Sequence, residues 1–355
     1  VRPEGLNVGV LGAGQIAQAA HFPACRKAAN VNLYAICDAA EDLLQRMVTV
    51  HQPVTAFSSY EEMLGDGDVD AVVVAVADQF HVPLAIQALE AGKHVLVEKP
   101  MATTVEDAEA LAQAAERHQR VVLVGHEKRY DPGIAFAQDF IRDEIGELIA
   151  LKHWYCDSAY RYPMTDAVQP LIETGQGMVR PPGDPKADRR RYLVLGHGSH
   201  LLDTARYLGG PITAIRARLS TRAQTYCWFL ETEFETGCLG QLDLTVAVRM
   251  DWWEGFQVYG ENGSVLGKVF NPWYLRAAEV QCFSAKDRQF HQPLGEDADV
   301  FRLQIEDFAL AIRTGEPLRG STAADGVACV RGMVAIARAV ESGDWVRLAD
   351  VQGGL

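Results

Sequence analysis

Two closely spaced glycines, Gly12 and Gly14, follow the apolar run Leu6-Asn7-Val8-Gly9-Val10-Leu11 and precede a helix predicted from Gln15. A strand feeding a helix through such a turn lets the backbone approach a pyrophosphate. The first helical N–H groups, around Gln15 and Ile16, then add unpaired donors and a positive dipole end. A second predicted strand, Val31 to Cys37, ends at Asp38, close to the ~20-residue offset at which a carboxylate grips an adenosine ribose. The chemistry this arrangement suits is dinucleotide binding. Gly12-x-Gly14-x-x-Ala17 alone is common by chance, and its strand–turn–helix setting and the acid give it weight.

The elements that must carry these residues alternate. After Asp38 come a helix over Glu41 to Val50, the strand Thr55-Ala56-Phe57, a short helix over Tyr60 to Leu64 and the run Val69 to Val76. A continuous apolar run of that kind suits a strand covered on both faces of a parallel sheet. A helix over His81 to Ala91, stopped by Gly92, leads to strand His94 to Glu98, helix Thr104 to His118 and strand Val121 to Val124. This βαβ repetition predicts an α/β fold with a doubly wound parallel sheet over residues 1–125.

Past Gly125 the rhythm changes. A helix over Pro132 to Ile145 and a strand over Leu148 to Cys156 precede a long irregular stretch, Asp157 to Arg191, of a length usually reserved for function. Helix Ser199 to Leu208 follows. Successive strands over Ile212 to Phe283 carry hairpin signals at Glu235-Thr236-Gly237 and Glu261-Asn262-Gly263. Helices over Val300 to Thr314 and Thr322 to Glu341 close the chain. Residues 126–355 thus read as a second α/β domain, a large, mostly antiparallel sheet with helices on one face, whose closing helices can pack back on the first domain. The uncovered face predicts a homodimer or homotetramer through that open sheet.

Composition excludes several classes. A net charge of -14 with no basic run longer than Arg189-Arg190-Arg191 argues against a nucleic-acid partner. No apolar run approaches the ~20 residues that span a bilayer, and Val1 to Gly5 carry no apolar signal region, so a soluble, cytoplasmic protein is expected. Seven cysteines without a C-x-x-C pair argue against a disulfide framework and structural zinc, and no metal site is expected.

In an open α/β sheet, ligands bind beyond the carboxyl ends of strands. Three ends carry chemistry: Ala77-Asp78-Gln79-Phe80-His81, Glu98-Lys99-Pro100, and Gly125-His126-Glu127-Lys128-Arg129-Tyr130-Asp131-Pro132. Gly12-x-Gly14-x-x-Ala17, the stretch Ala91-Gly92-Lys93-His94-Val95-Leu96-Val97-Glu98-Lys99-Pro100, and Gly198-Ser199-His200-Leu201-Leu202-Asp203 together resemble the glucose-fructose oxidoreductase, inositol dehydrogenase and MocA (Gfo/Idh/MocA) family. The likeness runs over nearly the whole chain. It implies a Rossmann domain joined to an α/β domain with an open sheet, a nicotinamide cofactor, and sugars or cyclitols as usual substrates. By position Lys99 matches the family's catalytic lysine, His200 its catalytic histidine and Glu98 the residue at the nicotinamide end; Ala77 and His81 fall at the cofactor side. The bond into Pro100 is often cis in such proteins.

Oxidation of a secondary alcohol sends a hydride to nicotinamide and the hydroxyl proton to a base. A lysine with its pKa lowered by desolvation and cofactor charge can take that proton, and His200 can share or relay it. The family aspartate four residues before this histidine is replaced by Gly196, so His197 is a candidate for part of the missing polar role. Glu127 stands where the family usually has asparagine, and Arg129 at its arginine. These two, with Tyr155, Asp157, His197 and Asp203, are the candidate substrate residues. Tyr160, Arg161 and Tyr162 add groups that suit a carbohydrate, while Arg180 and Arg189 to Arg191 leave an anionic sugar open. Asp38, followed by Ala39-Ala40 with no arginine, favours NAD over NADP. The expected activity is an NAD-dependent dehydrogenase acting on a ring CH–OH. A non-catalytic sugar- or dinucleotide-sensing regulator and a reductase of a non-sugar carbonyl or diol remain open on the sequence.

Overall fold

The computed structural model describes residues 5–160, 172–176, 187–295 and 298–355. These form two units, one within Val1–Glu127, Gln169–Ala187 and Phe301–Val327, the other within Lys128–Val168, Asp188–Val300 and Ala328–Leu355.

In the first unit, strands β1 (Leu6–Leu11), β2 (Val31–Cys37), β3 (Thr55–Phe57), β4 (Ala71–Val74), β5 (His94–Val97) and β6 (Val122–Val124) are parallel. The short strand Ser321–Thr322 adds antiparallel to β6, and the order from that edge runs β6-β5-β4-β1-β2-β3. Val72, Val73 and Val74 are fully buried, which is why β4 reads as an unbroken apolar run. The chain winds outward from β1 to β3 and restarts at β4, so the switch point lies between β1 and β4. Side-chain caps set two of the covering helices: Ser59 accepts from Glu62 N, and Thr104 accepts from Asp107 N.

The helix expected from Gln15 is present but wound unevenly. Ala17–His21 is a π turn, closed by Phe22 N donating to Ala17 O, before the α-helix Phe22–Lys27. Pro23 explains the widening. It cannot donate to the Ala19 carbonyl, and its ring would crowd that carbonyl in ordinary α winding.

The second unit holds strands β7 (Leu148–Ser158), β8 (Ile212–Arg222), β9 (Thr225–Phe234), β10 (Leu239–Val248), β11 (Trp253–Gly260), β12 (Gly263–Val269), β13 (Glu279–Ser284) and β14 (Gln289–His291). With Val346–Arg347 beside β8 they form a nine-stranded sheet ordered β14-β13-β12-β11-β7-β10-β9-β8, antiparallel except for the β7–β10 pair. Alternation sorts the two faces. On β9, Trp228 and Leu230 are buried while Phe229 is 53% exposed. By register Phe229, Leu239, Leu266 and Phe290 share that outer face, and helices Pro132–Asp143 and Ser199–Gly209 cover the other.

All seven cysteines are free, and burial pushes the thiols of Cys25, Cys37, Cys156 and Cys282 up to about 12. Among the described residues no helix is long and apolar enough to cross a membrane.

Candidate active site

The turn after β1 is built around Gly12. Its φ is +92°, and a Cβ there would stand 2.4 Å from the Ala75 carbonyl, so only glycine lets β1 close against the end of β4. Gly14 is different: among the described residues nothing lies within 4 Å of where its Cβ would be, which leaves the open backbone approach a pyrophosphate requires. Gln15 is exposed and Ile16 half-buried beside it. Asp38 accepts from Ala13 N at 2.7 Å on Oδ2 and from Ala40 N at 2.8 Å on Oδ1. One carboxylate thus ties the glycine turn to the end of β2 and keeps lone pairs for ribose hydroxyls. The turn, the open Gly14 and the acid fit a dinucleotide.

Glu173 and Gln18 exchange bonds through Gln18 Nε2 to Glu173 O (2.9 Å) and Glu173 N to Gln18 Oε1 (2.8 Å), which lays the segment 172–176 along the dinucleotide helix.

At the end of β5, Glu98 is buried and Lys99 half-buried. Glu98 Oε1 lies 2.7 Å from His21 Nε2, and Oε2 accepts from Lys99 N at 3.0 Å. Burial pushes this carboxyl up, but the His21 bond and the charges of His21, Lys99 and His81 outweigh it and hold it below the usual carboxylate range. The Lys99–Pro100 peptide is cis. His81 is 1% exposed, with Nδ1 2.8 Å from Pro100 O and Nε2 3.1 Å from Val76 O. Its ring therefore bridges the loop after β4, where Ala77 caps the turn Asp78–Phe80, to the loop after β5. Glu127, 4% exposed, ends this unit's first segment after β6.

In the second unit β7 sends His153, Tyr155 and Asp157 to the helix-covered face. Tyr155 is 2% exposed, and its ring lies 5.9 Å from that of His200, 5.6 Å from His197 and 5.0 Å from Trp252. Tyr155 Oη is 3.3 Å and Asp157 Oδ2 3.6 Å from His197 Nδ1, so both address the same ring nitrogen. His197 belongs to a second π turn, Val194–Gly198, directly ahead of the helix that carries His200. Among the described residues a Cβ at Gly196 would meet only Tyr192, at 4.0 Å, so their packing does not require glycine there.

Arg129 and Asp203, which the sequence offers as separate substrate contacts, are brought together in a buried forked pair: Nε donates to Oδ2 at 3.0 Å and Nη2 to Oδ1 at 2.7 Å. Beside them Lys128 Nζ donates to both oxygens of Glu254, at 2.6 Å for Oε1, and lies 4.3 Å from the Tyr155 ring centroid. Burial pushes Glu254 up, and Lys128 with His153 more than reverses this, leaving the carboxyl below its usual range. Neither Lys128, Glu254 nor His21 stands out in the sequence. Only Pro23 beside His21 signals unusual winding.

Tyr160 is 50% exposed. Arg161, Tyr162 and Arg180 lie outside the described residues. Arg189, Arg190 and Arg191 begin the short helix Arg189–Leu193, capped by Asp188. Among the described residues no group of three or more His, Cys, Asp or Glu side chains is arranged to hold a metal ion.

Two family models match the chain: one described as an oxidoreductase family with an NAD-binding Rossmann fold over residues 6–126, and the GFO/IDH/MocA C-terminal domain over residues 174–266. An inositol 2-dehydrogenase of Saccharopolyspora erythraea is 28% identical over 351 residues, 95% of this chain and 94% of that protein. A levoglucosan dehydrogenase of Pseudarthrobacter phenanthrenivorans is 28% identical over 187 residues, which span 51% of this chain and 42% of that one. The solved structure of a levoglucosan dehydrogenase in complex with NADH superposes with a TM-score of 0.78 at 23% identity, covering 98% of this chain and 100% of that chain.

Proposed function

Because the chain belongs to the GFO/IDH/MocA family of oxidoreductases, with an NAD-binding Rossmann fold over residues 6–126, we propose that it oxidises a ring secondary alcohol of a sugar, glycoside or cyclitol. The observation that carries this reading is Lys99 itself, a half-buried amine just past the carboxyl end of β5 in that sheet, its backbone held by Glu98. The names of the inositol and levoglucosan relatives support the substrate class.

In this reading the Gly12–Gly14 turn and the helix start hold the pyrophosphate, and Asp38 takes the ribose hydroxyls and disfavours a 2′-phosphate. NAD, when bound, supplies the acceptor for the hydride. Lys99 Nζ takes the hydroxyl proton, and His200 shares the hydrogen bond to that hydroxyl, its ring stacked on Tyr155. His197, whose Nδ1 faces Asp157 and Tyr155, is oriented as a further hydroxyl contact. The outer face of the nine-stranded sheet suits self-association into a homodimer or homotetramer. The seven free thiols support a reducing, cytoplasmic setting.

An NADH-absorbance screen against sugars, glycosides, inositols and uronic acids tests the reading, with Lys99→Ala as the blank. Turnover on at least one ring alcohol, reduced about 10²- to 10⁴-fold by Lys99→Ala, is expected. NAD uptake in calorimetry with no turnover on any of them would favour the regulator, and no uptake at all would remove the dinucleotide reading.

A further inference from the structure

We infer that His21 is a positioning residue for Lys99: acting through Glu98, it joins the helix that starts the dinucleotide site to the peptide that carries the proton acceptor. The inference rests on the reading of Lys99 given above. His21 is the last residue of the π turn Ala17–His21, seven residues beyond Gly14, and it is 3% exposed. Its Nε2 meets Glu98 Oε1 at 2.7 Å, while Glu98 Oε2 receives the backbone N–H of Lys99 at 3.0 Å. Each carboxylate oxygen thus serves a different segment.

The surroundings hold that carboxylate in place. A Cβ on Gly125 would lie 3.2 Å from the Glu98 carboxyl atoms, so the glycine after β6 leaves room for the group and little more. Phe301 stands edge-on to the His21 ring, with centroids 6.4 Å apart and planes at 77°. The charged or titratable groups acting on Glu98 are His21, Lys99 and His81.

Helix-to-sheet packing alone does not call for this arrangement. Burying a carboxylate against an imidazole is a costly way to attach a helix, and apolar side chains of similar size do so at equal or lower free energy. What apolar side chains cannot do is accept the Lys99 N–H. The pair therefore fixes the peptide from which the Lys99 side chain departs, in register with the glycine turn.

The test uses the full chain, NAD calorimetry and the best alcohol from the screen. If the wild-type protein takes up no NAD, the functional reading fails, and that result is separate from the present inference. With an active wild type, His21→Gln keeps an N–H donor near the position of Nε2 and is expected to hold kcat within about 3-fold. His21→Asn is too short to reach Glu98 and should lower kcat about 10- to 100-fold, with the NAD Kd changed less than about 3-fold, the scale on which sub-ångström misplacement acts. Glu98→Gln combined with His21→Asn should be no slower than Glu98→Gln alone. Equal kcat values for His21→Asn and His21→Gln, or losses that multiply in the double variant, overturn the inference. His21→Leu/Glu98→Met keeps an apolar contact between helix and sheet and so covers the case in which His21→Asn does not fold. Near-wild-type kcat in that variant means the pair only packs; a 10- to 100-fold lower kcat with NAD affinity intact upholds positioning.

Discussion

The rings of Tyr155 and His200 lie within 8° of parallel, 5.9 Å between centroids. Tyr155 therefore acts as a floor beneath the histidine. With 2% of its surface exposed it presents almost nothing to a ligand. Tyr155→Phe removes the bond to His197 and should cost about 1 kcal/mol of stability, with substrate KM within about 3-fold. Tyr155→Ala should cost about 3–5 kcal/mol, read as a lowered urea midpoint.

The two glycines of the first turn should separate in their effects. Gly12→Ala drives a methyl group into the Ala75 carbonyl at positive φ and should lower the melting temperature sharply. Gly14→Ala has room among the described residues, so it should melt within a few degrees of wild type yet weaken NAD binding at least 10-fold by calorimetry.

Lys128 and Glu254 are buried, with side chains 6% and 0% exposed. Lys128→Met or Glu254→Gln alone should cost about 3–5 kcal/mol, because each leaves the other residue's buried charge without the opposite charge it now faces. The double variant should recover part of that loss in urea titration. Since Glu254 is held below its usual range, its contribution is present at neutral pH and is lost as pH falls through that depressed value.

Asp131 should show the opposite slope. Burial raises its carboxyl to about 6, against backbone bonds from Ala278, Ile134 and Gly133 that pull it down. A group raised in the folded state binds its proton more tightly there than in the unfolded chain. Stability it confers is therefore full below about pH 4 and declines as pH rises through about 6. Asp131→Asn should remove that decline, up to about 3 kcal/mol between pH 4 and 7 in denaturant titrations.

Self-association through the second sheet predicts that Phe229→Glu, at a position 53% exposed, lowers the mass measured by light scattering. Its folded stability should stay within about 0.5 kcal/mol of wild type. An unchanged mass would take the proposed interface off that face.

What could be read from the sequence is what is encoded locally. β4 is legible because burial on both faces leaves no polar residue in it, β5 because Val95 to Val97 are apolar and fully buried, and the hairpin after β11 because Asn262-Gly263 is turn chemistry. Gly12, Gly14 and Asp38 were legible as a set because one turn and one strand end fix their relation. The second unit's polar cluster was not. Lys128 and Glu254 are 126 residues apart, and Arg129 and Asp203 are 74 apart. No periodicity joins such partners, so Arg129 and Asp203 read as two separate pocket groups, and the stacking of Tyr155 on the His200 ring is not legible either. His21 was hidden for another reason: ordinary winding from Gln15 puts it on a different side of the helix.

That winding has a consequence for anyone comparing or redesigning this segment. One residue in an α-helix is worth about 100° of rotation. Relaxing the turn to standard pitch at unchanged length would keep every side chain in the alignment, yet rotate the imidazole by a large part of that step away from Glu98. Here the pitch of the backbone carries as much information as the identity of the residues, and a regular helix assumed through this stretch would erase it.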